Sequence, residues 1–237
     1  MSLTPELVTG FAMFFKKCVR GYHILNKEPI KESVWEAINT QVLLHAGCSV
    51  ASQSNGSHAP GSDISSSIGN LSNKSVKYNE SSRSHLCVSS YRLSAVCSAS
   101  NPGNITEIIE EIKKRKNFDF YSIIAREELS GNRIHYDWFL LPSDHPIVDP
   151  TKYEWSPLVG QRGKNKGTQV GWKTNIVNGS SMSITFSMSS QLWMNICLND
   201  ELKEQYIIAN TELSTQTKMD YVALADSYAE EDILENV

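Results

Sequence analysis

The chain of 237 residues lacks most of the features that announce a function. It has no long hydrophobic run. The longest apolar stretch, near Phe11 to Phe15, stops at Lys16-Lys17, too short to span a bilayer, and no basic start precedes it as in a signal peptide. The expectation is a soluble, cytoplasmic protein with no membrane partner. It also lacks paired cysteine spacing: Cys18, Cys48, Cys87, Cys97 and Cys197 are odd in number and contain no C-x-x-C unit. That argues against a disulfide framework or a zinc site and leaves them as buried thiols. No internal repeat is present. The six N-x-S/T patterns, at Asn55, Asn70, Asn73, Asn79, Asn104 and Asn178, are what chance supplies in a chain rich in Ser and Asn.

Charge of one sign is missing locally. Residues 155 to 199 contain Arg162, Lys164, Lys166 and Lys173 and no acid, whereas residues 200 to 237 carry ten acids against two lysines. The formal net charge of −4 therefore conceals a positive region able to hold a polyanion. What is present in quantity is apolar side chain. At 40% hydrophobic and 9% aromatic content the chain can bury a core as a single domain over residues 1–237.

After Pro29, the stretch IKESVWEAINTQVLLHAG sets Val34, Ile38 and Val42 on one stripe and ends at Gly47, the pattern of a helix. SQSNGSHAPGS reads as a loop, and DISSSI and NKSVKY as two strands of a hairpin around Gly69-Asn70, with HLCVSSYRL a third strand. ITEIIEEIKKRK is an amphipathic helix with acids early and bases late. FDFYSIIAREEL and RIHYDWFLLP form a second hairpin about Ser130-Gly131-Asn132, SITFSMSSQLWMNI is a further strand, and the acidic tail is helical. The order predicts an α/β (α+β) fold with a mixed central sheet flanked by helices.

Within residues 58–78 one acid, Asp63, and two lysines, Lys74 and Lys77, stand among small residues and spaced aliphatics. A three-residue loop, Gly69 to Leu71, sets Asp63 opposite Lys77, Ser65 opposite Ser75 and Ile64 opposite Val76. One face then carries Ile64, Ile68 and Val76, and the other a polar cleft of Asp63, Ser65, Ser75 and Lys77. As a plain cross-strand ion pair this would contribute at most about 1 kcal/mol.

The helix, the loop with Pro60 and Asp63, the hairpin and the Ser75-Val76-Lys77 triplet resemble the core of the PD-(D/E)xK nuclease superfamily, particularly type II restriction endonucleases. Pro60 stands three residues before Asp63, and Ser75 occupies the place of the acid in the triplet. The resemblance implies a restriction-endonuclease-like fold with a catalytic core at about residues 30–95 and a DNA-recognition and C-terminal part at about 118–237. It implies Mg²⁺-dependent hydrolysis of double-stranded DNA, with metal held by Asp63 and the Val76 carbonyl, and Lys77 positioning the attacking water. Ser75 supplies no charge, so Glu36, on the preceding helix, or Glu80 replaces the missing acid. Arg83, Arg92, Lys164, Lys166 and Lys173 would meet phosphates, and Arg162 a guanine edge. A monomer and a homodimer are both open. The alternatives are a catalytically silent DNA-binding module on the same fold and a non-nucleic-acid interaction domain.

Overall fold

The computed structural model describes residues 3–53, 62–79 and 83–215, with residues 222 and 226. Thr4 opens the first helix, α1 (Pro5–Leu25), by accepting the Leu7 N–H on its hydroxyl at 3.3 Å, with Pro5 in the first turn where its missing N–H costs nothing. Phe11, Phe15, Val19 and His23 recur every four residues, and all are buried. The helix expected after Pro29 forms as α2 (Glu32–His45). It buries Trp35, Ile38, Asn39, Val42 and Leu43, so the stripe is centred one position away from Val34, which is half-buried.

The chain continues through β1 (Val50–Gln53), β2 (Ile64–Ser66), β3 (Gly69–Lys77), β4 (His85–Arg92) and α3 (Ile105–Arg115). It then forms the hairpin β5 (Phe120–Leu129) and β6 (Arg133–Pro142), followed by β7 (Trp155–Val159), β8 (Gln169–Thr174), β9 (Ser181–Thr185) and β10 (Gln191–Cys197). A short helix, α4 (Asp200–Tyr206), leads into β11 (Ile207–Ser214).

Two sheets result. One is six-stranded in the order β1-β2-β3-β5-β6-β11, and the other five-stranded in the order β4-β10-β9-β8-β7. The β3–β5 pair is parallel and the remaining strand pairs are antiparallel, so the first sheet is mixed and the fold is α+β. Helices α1 and α2 cover one face of the six-stranded sheet, where Phe11, Phe15, Trp35 and Val42 meet Leu71, Ile124, Tyr136 and Trp138. The opposite face turns Val76, Tyr121, Ile123, Phe139 and Leu141 against Val88, Met182, Ile184 and Met194 of the second sheet, with Ile108 and Ile112 of α3. The central strands are thus buried on both faces, which is why β5 reads as a continuous apolar run and not as an alternation.

Several expected elements change. The first hairpin turns at Ser67-Ile68, not at Gly69: Ser66 pairs with Gly69, Ser65 with Asn70 and Ile64 with Leu71. Gly69 holds φ +119°, and a Cβ there would come within 2.8 Å of the Asp119 carboxylate, which itself accepts the Asn70 N–H at 2.7 Å; only glycine fits. Ile64 and Val76, expected on one face, lie in different cores. The third strand, β4, joins the second sheet. SITFSMSSQLWMNI forms two strands, because Ser189 and Ser190 take positive φ between β9 and β10. Residues 207–214 of the acidic region form a strand, β11, paired to β6. All five cysteines are free, Cys48 and Cys97 buried and the others half-buried. No helix among the described residues is long and apolar enough to cross a membrane.

A polar pin crosses the helix-side core. The Ser122 hydroxyl accepts the Trp138 indole N–H and an Asn39 amide N–H, each at 2.9 Å, while its carbonyl accepts the Trp35 indole N–H at 3.0 Å. Replacing Ser122 by Ala leaves the buried Trp138 donor without a partner, and the expected loss is about 1–3 kcal/mol of unfolding free energy. Urea unfolding checks this: the midpoint falls while the slope with denaturant stays that of the parent.

Candidate functional site

Strand β2 is only three residues long, so β3 loses its hairpin partner early and a fork opens where the two strands part. Asp63 stands in that fork. Its backbone N–H donates to the Leu71 carbonyl at 2.8 Å, and its Oδ2 accepts the Asn73 N–H at 2.5 Å and a bond from the Ser72 hydroxyl. The carboxylate thus continues the ladder in place of the missing strand and is held half-buried against the edge of β3.

Lys74, next along β3, donates from Nζ to Glu32 Oε1 at 2.8 Å and to the Asn73 carbonyl at 2.6 Å, with 12% of its side chain exposed. Glu32 and Glu36 are one turn apart on α2. Beyond them on the same helix, Asn39 donates to the Asn73 Oδ1 at 2.7 Å, and both asparagines are fully buried. That amide contact fixes α2 over the fork and brings Glu36, Asp63, Lys74 and Glu32 within electrostatic reach of one another.

Burial pushes the Asp63 carboxyl above the usual carboxylate range; Lys74 and the Asn73 N–H pull it down, and Glu32 adds to the rise. Glu36 is likewise raised, first by burial, then by the Asp63 and Glu32 charges, against the pull of Lys74. Among the described residues no group of three or more His, Cys, Asp or Glu is arranged to hold a metal ion.

Lys77 is not brought to Asp63. It lies four residues beyond Asn73 on β3, about 13 Å along the strand, and with 56% of its side chain exposed it pairs with Glu128 at 3.2 Å. Ser75 is taken up structurally, donating to the Ile30 carbonyl at 2.8 Å and accepting from Arg126 Nη1 at 3.3 Å. Val76 is about 10 Å along β3 from Asn73 and turns its side chain into the core between the sheets. Arg83 is held in an ion pair with Glu127. Arg92 is exposed at the end of β4; Arg162, Lys164 and Lys166 are exposed at the tip of the β7–β8 hairpin, and Lys173 is exposed on β8. Pro60 and Glu80 lie outside the described residues.

No protein-family model, curated protein or solved structure matches the chain.

The sequence set Lys74 apart as an isolated lysine but gave it no role, and it gave none to Asn73 or Glu32. A signal for Asn73 and Lys74 existed: NLSNKSVKY contains two consecutive readings of the same triplet spacing, Ser72-Asn73-Lys74 and Ser75-Val76-Lys77. The turn at Ser67-Ile68 selects the first, since it sets Ser72, and not Lys77, beside Asp63.

Both raised carboxyls hold protons in the folded chain that the unfolded chain releases. Their stabilising contribution is complete below the ordinary carboxylate range and is lost as pH rises through the raised folded values. Asp63→Asn is therefore expected to unfold at higher urea than the parent at neutral pH, with the difference shrinking to nothing as pH falls below that range. A gap of constant size at every pH would mean that the charge on Asp63 is not the cause.

Proposed function

We propose that the chain is a Mg²⁺-dependent DNA endonuclease of the PD-(D/E)xK kind, with its site built by Glu36, Asp63 and Lys74. The observation that carries this reading is the meeting of two carboxyls and one shielded lysine at the fork of β2 and β3, beside α2. An acid at the start of a hairpin and a lysine on the neighbouring strand are what the superfamily resemblance calls for, and Glu36 on the preceding helix is the candidate for the acid that the triplet lacks. The triplet is then Ser72-Asn73-Lys74, one hairpin register away from the triplet expected first.

The donor set suits magnesium. Asp63 and Glu36 offer hard oxygens, each destabilised as an anion first by burial and further by the Glu32 charge, Glu36 also by Asp63, and Mg²⁺ needs only one or two carboxylates beside substrate phosphates. Asp63 and Glu36 would hold the ion; when bound it lowers the pKa of a water and offsets charge on the phosphate. Asp63 is oriented by the Asn73 N–H and Ser72, and Glu36 by the Asn39 anchor three residues on. Lys74, released from Glu32, orients the attacking water. Double-stranded DNA would meet Lys164 and Lys166 through its phosphates and Arg162 through a guanine edge.

Incubation with mixed-sequence plasmid and Mg²⁺ tests the reading. The parent yields discrete fragments, and Asp63→Asn, Glu36→Gln and Lys74→Ala each slow cleavage on the order of a hundredfold or more, while Lys77→Ala and Ser75→Ala cut as the parent does. Loss of cutting in Lys77→Ala but not in Lys74→Ala returns the site to the later triplet. Plasmid retained but intact makes the chain a DNA-binding module, and plasmid neither retained nor cut overturns the nucleic-acid reading.

A further inference from the structure

The five-stranded sheet has one face buried and one face that neither hydrophobic core includes. Its inward residues Leu86, Val88, Met182, Ile184, Leu192, Met194 and Ile196 pack against the first sheet and α3. Directly paired residues of antiparallel strands share a face, so the registers define what lies outside. One row runs across all five strands: Ser89 on β4, Trp193 on β10, Ser183 on β9, Lys173 on β8 and Ser156 on β7. Flanking rows hold Arg92, Gln191, Thr185 and Gly171 on one side and Asn195 and Ser181 on the other.

Two features of this face stand apart from the rest of the molecule. The first is the indole. Of the five tryptophans, Trp35, Trp138, Trp155 and Trp172 each donate the ring N–H to a protein acceptor, whereas Trp193 makes no such bond among the described residues. Trp155 and Trp172 also pack on the inter-sheet core, and Trp193 packs on neither core. It is a half-buried ring with small residues, Ser89 and Ser183, on either side. The second feature is charge. None of the five strands carries an acid, and neither Lys173 nor Arg92, both exposed, has a carboxylate partner among the described residues.

We infer that this face binds a single strand of nucleic acid, with an unpaired base stacked on Trp193 and its phosphates on Lys173 and Arg92. A half-buried indole between small neighbours can stack with any base, and cations without acid competitors attract a backbone. A duplex keeps its bases stacked inside and does not offer one to an indole on a sheet face, so the occupant is unpaired strand. Lys173 is two strands from Trp193, about 10 Å, with only Ser183 between them. The surface is on the opposite side of the first sheet from α2 and the Asp63 fork, and the inference stands whether or not that fork cleaves DNA.

The test is fluorescence anisotropy of a labelled oligothymidylate titrated with the Asp63→Asn chain, which removes any cleavage from the readout. Saturable binding is expected. Trp193→Ala should weaken it about tenfold, Trp193→Phe should retain most of it, and Lys173→Ala should lower the dependence of log affinity on log salt by about 0.7. Ser183→Glu, which sets an acid between ring and ammonium without touching either core, should abolish binding in a chain whose urea midpoint is unchanged. Binding indifferent to Trp193→Ala and Ser183→Glu overturns the proposal. So does equal affinity for the same sequence as a duplex, or a face that takes a neutral oligosaccharide in preference to oligothymidylate.

Discussion

The contact between Asn39 and Asn73 is the one on which the arrangement of the candidate site depends. Two amides with no solvent exposure join helix α2 to strand β3, and Ser122 extends the junction to β5 and β6. Asn39 Oδ1 and Asn73 Nδ2 already find no partner, so the Asn39 Nδ2 bonds to Asn73 Oδ1 and Ser122 are what offset the burial of the two amides, and a slip of the helix would lose them in a low-dielectric core. The helix is thereby set in rotation and height, and Glu36 takes its position over the fork as a consequence. The same Asn73 offers its backbone N–H to Asp63, so one residue ties both carboxyls to a common frame.

That frame carries an electrostatic tension. Glu36 and Asp63 are both disfavoured as anions, and of the nearby cations Lys74 is already engaged by Glu32. Perturbed carboxyls of this kind gather where a protein binds charge or moves protons, although structural networks produce them as well. The short β2 strand is the other half of the device. By ending at Ile64 it leaves the edge of β3 open, and the edge N–H that would otherwise serve a strand serves a carboxylate.

The second sheet obeys a different rule. Its central strands β9 and β10 largely alternate, apolar inward and mostly small or polar outward, because only one side has something to pack against; Trp193 is the large outward exception. The acid-free stretch from residue 155 to 199 becomes the bulk of this sheet, so a run that looks like a basic loop in the sequence is in fact a broad surface with its cations at a hairpin tip and on an open face.

The sequence by itself determined the elements whose cause is local. Helix α2 ends at His45, two residues before Gly47, α3 runs acids to bases behind an Asn104 cap, and β5 and β6 turn at Ser130-Gly131-Asn132, because periodicity, capping and turn residues act over a few positions. It also singled out Asp63, Glu36 and the isolated lysines. Tertiary structure decided which lysine meets the acid. Strand alternation is satisfied by more than one register when both faces of β3 are buried, so Ile64 and Val76 misled by seeming to share a face. The deciding contact is Asp119 against Gly69, 50 residues apart in sequence, which sets the turn at Ser67-Ile68 and with it the place of Lys74. The open face of the second sheet was equally out of reach of sequence alone, since Ser89, Trp193, Ser183, Lys173 and Ser156 become neighbours only through strand pairing between distant segments.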